Sequence, residues 1–168
     1  MTLERVRGAY ERALEWLCII LMVVLFLEVT LGVVYRTFGE SLVWYDEVAS
    51  ILLAWLTFYG SALASVKRAH IGCPEVMALL PPRARLAFRV VAEVFTIGFF
   101  VLMGWTGYKV LGVLEGDSLV SLPDVPVAWV QSVVPISAVL IVAAELLTIP
   151  GVLRKTLNPP AITGAASQ

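Results

Sequence analysis

The chain has 168 residues, of which 60% are hydrophobic and only 15% charged, and its mean hydropathy is +0.89. Soluble domains usually carry about 25% charged residues, so a chain this apolar needs a solvent other than water. The net charge of -1 hides an uneven placement of charges. Two cysteines, Cys18 and Cys73, make neither a disulfide framework nor a C-x-x-C pair, and both read as inert thiols.

A bilayer core of about 30 Å takes about twenty mostly apolar residues as a helix. Four segments reach that length, from about Ala13 to Tyr35, Asp46 to Val66, Ala87 to Leu111 and Val127 to Ile149. The first follows Arg5, Arg7 and Arg12, which looks like the start of a signal peptide. Its apolar run is too long for such a leader and no small-x-small site closes it, so it is expected to stay as a spanning helix. The segments lack the alternation of barrel strands, and hydrocarbon leaves only helices or closed barrels, so all four are predicted α-helical.

Orientation follows from Lys and Arg. Ten of the twelve basic residues fall at the N-terminus, in the stretch from Lys67 to Arg89, or at Arg154 and Lys155; only Arg36 and Lys109 lie near the other side. The positive-inside rule predicts cytoplasmic N- and C-termini. Tyr35, Trp44, Tyr45, Trp105, Tyr108 and Trp129 are placed to form an outer aromatic belt, with Trp16 at the inner interface. Arg83, Arg85 and Arg89 are candidate lipid-headgroup anchors.

The first outer loop, Arg36 to Tyr45, is short and makes helices one and two a hairpin; the second, Gly112 to Pro126, is acidic. In the inner loop, Pro74 to Leu80 is predicted as a short interfacial helix, with Pro74 at its first turn and Pro81-Pro82 as its stop. Residues 1–157 are expected to form one transmembrane domain, and 158–168, small and polar without periodicity, a disordered tail.

Ionisable groups within a span are costly and invite a functional hypothesis. Glu28 lies in helix one, past its midpoint, with no basic residue one turn away. It reads either as a coupling carboxylate or as a protonated or hydrogen-bonded packing group, the second being favoured because nothing else completes a transport site. Glu15 and Glu145 lie near helix ends, where they can snorkel. Asp46 and Glu47 open helix two, where carboxylates suit the positive end of the helix dipole, and Arg36 stands across the short loop. A clamp of Arg36 with Asp46 or Glu47 is expected. Helix two also carries a small-residue stripe, Ser50, Ala54, Thr57, Ser61 and Ser65, with Gly60 and Ala64 beside it, suited to close packing inside the chain or against a partner.

Enzyme readings lack parts. His70 is the only histidine, which excludes a bis-histidine haem and a histidine-rich metal site. No G-x-S-x-G elbow, P-loop or dinucleotide fingerprint occurs, and nothing points to nucleic acid. No internal repeat is visible, which argues against an inverted-repeat transporter core.

Specific residues resemble a family. Tyr35-Arg36, then Leu42-Val43-Trp44-Tyr45-Asp46-Glu47, then Trp55-Leu56-Thr57-Phe58-Tyr59-Gly60-Ser61-Ala62 look like the small membrane (DctQ-type) subunit of tripartite ATP-independent periplasmic (TRAP) transporters. That family shows an arginine after helix one, an L-x-W-x-x-E start to helix two and a W-x-x-F-x-G-[AS] centre. Lys67-Arg68-Ala69-His70-Ile71 resembles its R-x-x-H-I segment, and Leu80-Pro81, Leu122-Pro123, Pro126, Trp129 and Pro135-Ile136 also fit. Tyr59 departs from the family's frequent leucine.

The resemblance implies a scaffold in a bacterial inner membrane for a large, many-helix subunit that carries solute and sodium, supplied by a periplasmic solute-binding protein. It implies an organic acid-like solute and no cofactor in this chain, sodium being the partner's. Arg36, Trp44, Asp46, Glu47, Trp55, Gly60, Ser61 and His70 become candidate clamp or partner-interface residues. The competing expectations are a stand-alone proton-coupled exporter using Glu28 and a membrane-bound enzyme.

Overall fold

The computed structural model describes residues 2–40, 42–67 and 81–157. All of its regular secondary structure is helical apart from one isolated bridge between Ser118 and Pro126. The helices are α1 (Thr2–Thr37), α2 (Tyr45–Lys67), α3 (Pro82–Val113), α4 (Val127–Gln131) and α5 (Val133–Leu157). Four stretches are long and apolar enough to span a bilayer: Glu4–Thr37, Tyr45–Lys67, Arg83–Val113 and Val127–Ile149. This is an all-α, multi-pass membrane protein, as the four long apolar runs predict. The segment expected as an interfacial helix, 74–80, and the 158–168 tail lie outside the described residues.

Two helices overrun their apolar segments. α1 has 36 residues and α3 has 32, or about 54 and 48 Å at 1.5 Å per residue. The polar first turns continue as helix because Glu4, Glu11 and Glu15, interleaved with arginines, have good helix propensity and need no lipid. Pro82 stands at the first position of α3, where its missing N–H and fixed φ cost nothing.

The final span is broken at Ser132, which the sequence reading did not anticipate. Pro135 cannot donate to the carbonyl one turn before it, and its ring crowds that turn, so α4 ends at Gln131 and α5 begins at Val133. Ser132 N still bonds the Ala128 carbonyl (3.0 Å) and Ile136 N the Ser132 carbonyl (3.2 Å), so the chain stays helical on both sides.

The helices pack in a row. α1 lies along α2, α2 along α5, and α3 along the opposite flank of α5. The central position of α5 explains its burial: Val133, Ala138, Ile141 and Ala144 are all at or below 3% exposure. The core joins Leu14, Ala62, Val66, Ile141 and Ala144, flanked by Tyr10, Leu63, Phe100 and Leu140. On α3, Gly104 and Gly107 let α5 come close. A Cβ at Gly107 would stand 2.9 Å from Val134 Cγ1 and 3.3 Å from Pro135 Cδ. On the other flank the Tyr45 ring lies on Gly32 of α1.

The outward faces of α1 and α3 are bulky and apolar. Phe26, Leu27 and Leu31 on α1, and Phe95, Phe99 and Leu102 on α3, are each more than half exposed. In water such continuous apolar surface would drive aggregation; in a bilayer it is the solvated surface.

Candidate functional site

The two ends of the bundle are held differently. At the end that carries the N-terminus, long side chains tie α1 to its neighbours. Arg7 Nη2 donates to the Val66 carbonyl (2.9 Å) and Tyr10 Oη to the Leu140 carbonyl (2.7 Å). Lys67 pairs with Glu15 and lies 3.9 Å from Glu11. Glu15 thus has a cationic partner and keeps a partly exposed side chain. Glu145 does not snorkel as expected: it is 3% exposed, because its position on α5 faces into the packed flank of the central helix rather than along the bundle surface.

At the loop end the expected Arg36 clamp does not form. Arg36 is exposed at the last turn of α1, and among the described residues no ion pair joins it to Asp46 or Glu47. Glu47 turns instead to the second loop. Its two oxygens accept the backbone N–H groups of Val120 (3.2 Å) and Ser121 (2.8 Å), and Ser121 Oγ donates to the Val43 carbonyl (3.3 Å). The reason is competition: two fixed amides present a converging donor pair, whereas an exposed arginine must give up side-chain freedom to hold one geometry. Asp46 is exposed, and its carbonyl accepts Ser50 Oγ (2.7 Å). Trp44 is 38% exposed just ahead of α2, its carbonyl accepting Val48 N (3.1 Å).

The second loop has its own internal order. Leu119 N bonds the Val125 carbonyl (3.0 Å), Val127 N the Asp117 carbonyl (2.9 Å), and Asp117 N the Leu114 carbonyl (3.2 Å). Gly116, at φ +103°, supplies the left-handed position that this last turn requires.

Trp55 faces inward. Its Nε1–H donates to the Val130 carbonyl (3.0 Å), next to the break in the final span, and its ring meets Tyr59 edge-on at 6.5 Å between centroids. Tryptophan here ties α2 to the final span of this chain. The small-residue stripe of α2 divides. Ser65 is buried (1% exposed) against the rest of the bundle. Ser50, Ala54 and Thr57 are exposed, and a Cβ on Gly60 would meet nothing within 4 Å. The exposed hydroxyls are already satisfied, Thr57 Oγ1 donating to the Leu53 carbonyl (2.8 Å) as Ser50 does to Asp46. Ser61 is half-buried, and His70 lies outside the described residues. Arg83 and Arg89 are exposed and Arg85 half-buried at the start of α3.

Glu28 is half-buried on α1, and neither of its buried carboxylate oxygens has a hydrogen-bond partner among the described residues. An unpaired buried polar group costs stability, while an apolar group of similar shape is neutral or favourable. Glu28→Leu is therefore expected to leave the thermal unfolding temperature of the purified chain in detergent unchanged or raised. A clear fall would mean that the carboxyl makes a stabilising contact.

Sequence reasoning missed Tyr10, Ser121, Val130 and the Gly104–Gly107 pair. Only the glycines left a signal, small residues three apart on one face of a spanning helix. Tyr10 and Ser121 act through long-range contacts that leave no periodic trace.

With this geometry in view, comparison with known proteins is direct. Residues 25–155 match the family model for the DctQ component of tripartite ATP-independent periplasmic transporters. A Haemophilus influenzae protein assigned as a TRAP transporter small permease protein is 28% identical over 88 residues. That alignment covers 52% of this chain and 55% of the relative, so it spans about half the length of each. The four spans, the helix-two motif and the match over most of the chain converge: the chain belongs to the DctQ component family of the tripartite ATP-independent periplasmic transporters.

Proposed function

We propose that this chain is the small permease subunit of a TRAP-type secondary transporter, acting as a membrane scaffold for a large subunit that carries the solute and sodium. The observation that carries the proposal is family membership across residues 25–155. The helix surfaces support it. The outward faces of α1 and α3 are bulky, as suits lipid, whereas the uncovered face of α2 at Ser50, Ala54, Thr57 and Gly60 is small and its hydroxyls are internally bonded. A helix of the large subunit can approach such a face closely and gain van der Waals contact without desolvating a polar group. Glu28 plays no part in coupling in this reading.

The chain sits in a bacterial inner membrane with both ends cytoplasmic, and a periplasmic solute-binding protein delivers an organic acid-like solute to the large subunit. Arg83, Arg85 and Arg89 then lie at the inner surface, where each basic residue adds about 1 kcal/mol of attraction to anionic lipid. Trp105, with Lys109 Nζ 5.3 Å from its ring centroid, anchors the outer surface.

Two experiments test this. A membrane-impermeant thiol reagent applied from the periplasmic side is expected to label a cysteine at Ser118 and not one at Ser167; the reverse pattern would overturn the orientation. Affinity purification of the tagged chain in mild detergent is expected to recover a large multi-helix membrane protein in equal amount. Ala54→Leu and Thr57→Leu are expected to reduce that recovery without changing the amount of chain in the membrane. Unchanged recovery would remove α2 from the interface.

A further inference from the structure

We infer that the 114–126 loop is a strap that locks the two halves of the helix row into one block, with Glu47 as its latch. The inference starts from the row itself. α2 packs along one flank of α5 and α3 along the other. A row of this kind resists sliding but bends easily about its central helix, because its two end helices each have one principal neighbour. At the N-terminal end side chains hold α1 in place: Arg7 on the Val66 carbonyl, Tyr10 on the Leu140 carbonyl and Lys67 with Glu15 join α1 to α2 and α5.

At the loop end that work falls to the loop after α3. It crosses the row and reaches the first turn of α2, where the Glu47 carboxylate takes the Val120 and Ser121 amides and Ser121 Oγ takes the Val43 carbonyl. A loop of this length is usually the most mobile part of a fold. Here it is cross-braced by Leu119 N to the Val125 carbonyl, Val127 N to the Asp117 carbonyl and Val125 N to the Leu122 carbonyl (3.0, 2.9 and 3.0 Å). A braced loop transmits force, so a carboxylate gripping two of its amides fixes α3 relative to the α1–α2 hairpin. Trp55, bonded to the Val130 carbonyl, ties α2 to α4 from below the same loop. The role assigned to Glu47 is mechanical and independent of which partner the chain binds.

The test is double electron–electron resonance on the full chain in lipid nanodiscs, with Cys18 and Cys73 replaced by serine. One spin-label pair sits at the loop end, Tyr35→Cys with Tyr108→Cys. The other sits at the opposite end, Val6→Cys with Phe88→Cys. All four sites are at least 44% exposed. The parent is expected to give a narrow distribution for both pairs. Glu47→Ala is expected to broaden the loop-end distribution roughly twofold and leave the other pair unchanged, and to speed amide exchange at Val120 and Ser121 by about tenfold or more. Ser121→Pro removes the amide donor to Glu47 and the hydroxyl donor to the Val43 carbonyl while leaving α2 intact, and is expected to broaden the same pair even where Glu47→Ala fails to fold. An unchanged loop-end distribution in the variants that fold would overturn the strap. Equal broadening at both ends would also overturn it, since that is general loosening rather than release of a latch.

Discussion

Trp55→Ala is expected to be the most damaging single replacement in the spans. It removes a large ring packed between α2 and the final span, together with the donor to the Val130 carbonyl at 3.0 Å. Truncating a tryptophan costs about 3–5 kcal/mol in a packed site, and a half-buried ring belongs at the lower end of that range. For a chain of this size about 3 kcal/mol lowers the unfolding temperature by roughly 6–12 °C. Trp55→Phe separates the two contributions. It keeps most of the ring and leaves the carbonyl without its indole donor, so a loss of about 1–3 kcal/mol is expected. Thermal unfolding followed by circular dichroism on the purified chain in detergent checks both. Equal stability of the alanine variant and the parent would show that this contact does not hold α2 to α4.

The second large effect is expected at Gly107. A methyl group there would meet Val134 Cγ1 at 2.9 Å and the Pro135 ring at 3.3 Å. Neither neighbour yields easily, since valine is stiff at χ1 and the proline ring is part of the helix break. Gly107→Ala is expected to cost about 1–3 kcal/mol through overpacking. Gly107→Leu is expected to force α3 away from α5. Gly98 is the control on the same helix: a Cβ there would meet nothing within 4 Å, so Gly98→Ala and Gly98→Leu should be tolerated. Comparing the four variants by unfolding temperature decides the matter. A Gly107→Leu chain as stable as Gly98→Leu would mean that α3 does not use this approach.

The number and kind of helices were legible because lipid imposes a length and an apolar composition on every span, and these can be counted. The Ser132 break was less so. Pro135 stands in a mostly apolar run, and hydropathy averages over it, whereas backbone bonding does not. The candidate site was legible by position more than by partner. Glu47 stands at the first turn of α2, where a carboxylate is favoured, but the charge rule that paired it with Arg36 counts charges and overlooks backbone amides. The amides it accepts come from a loop more than seventy residues away, and no local pattern announces such a contact. Trp55 was read as an interface residue because its motif resembles a family, and a motif records that a residue matters without recording what it touches. The α2 stripe was ambiguous for a simpler reason. Small residues pack equally well inside a chain or against another, and only the placement of α1 and α5 divides buried Ser65 from exposed Ser50, Ala54 and Thr57.

The central claim is that the chain moves no solute itself and supports a large subunit that does. Its most direct test is uptake by proteoliposomes in three preparations: this chain alone, the large subunit alone and the two together, each with the solute-binding protein and an inward sodium gradient. Uptake above background is expected only from the pair, and Glu28→Gln in the pair is expected to retain sodium dependence and most of the rate. Uptake by this chain alone would contradict the scaffold account, and full uptake by the large subunit alone would reduce the chain to a dispensable accessory.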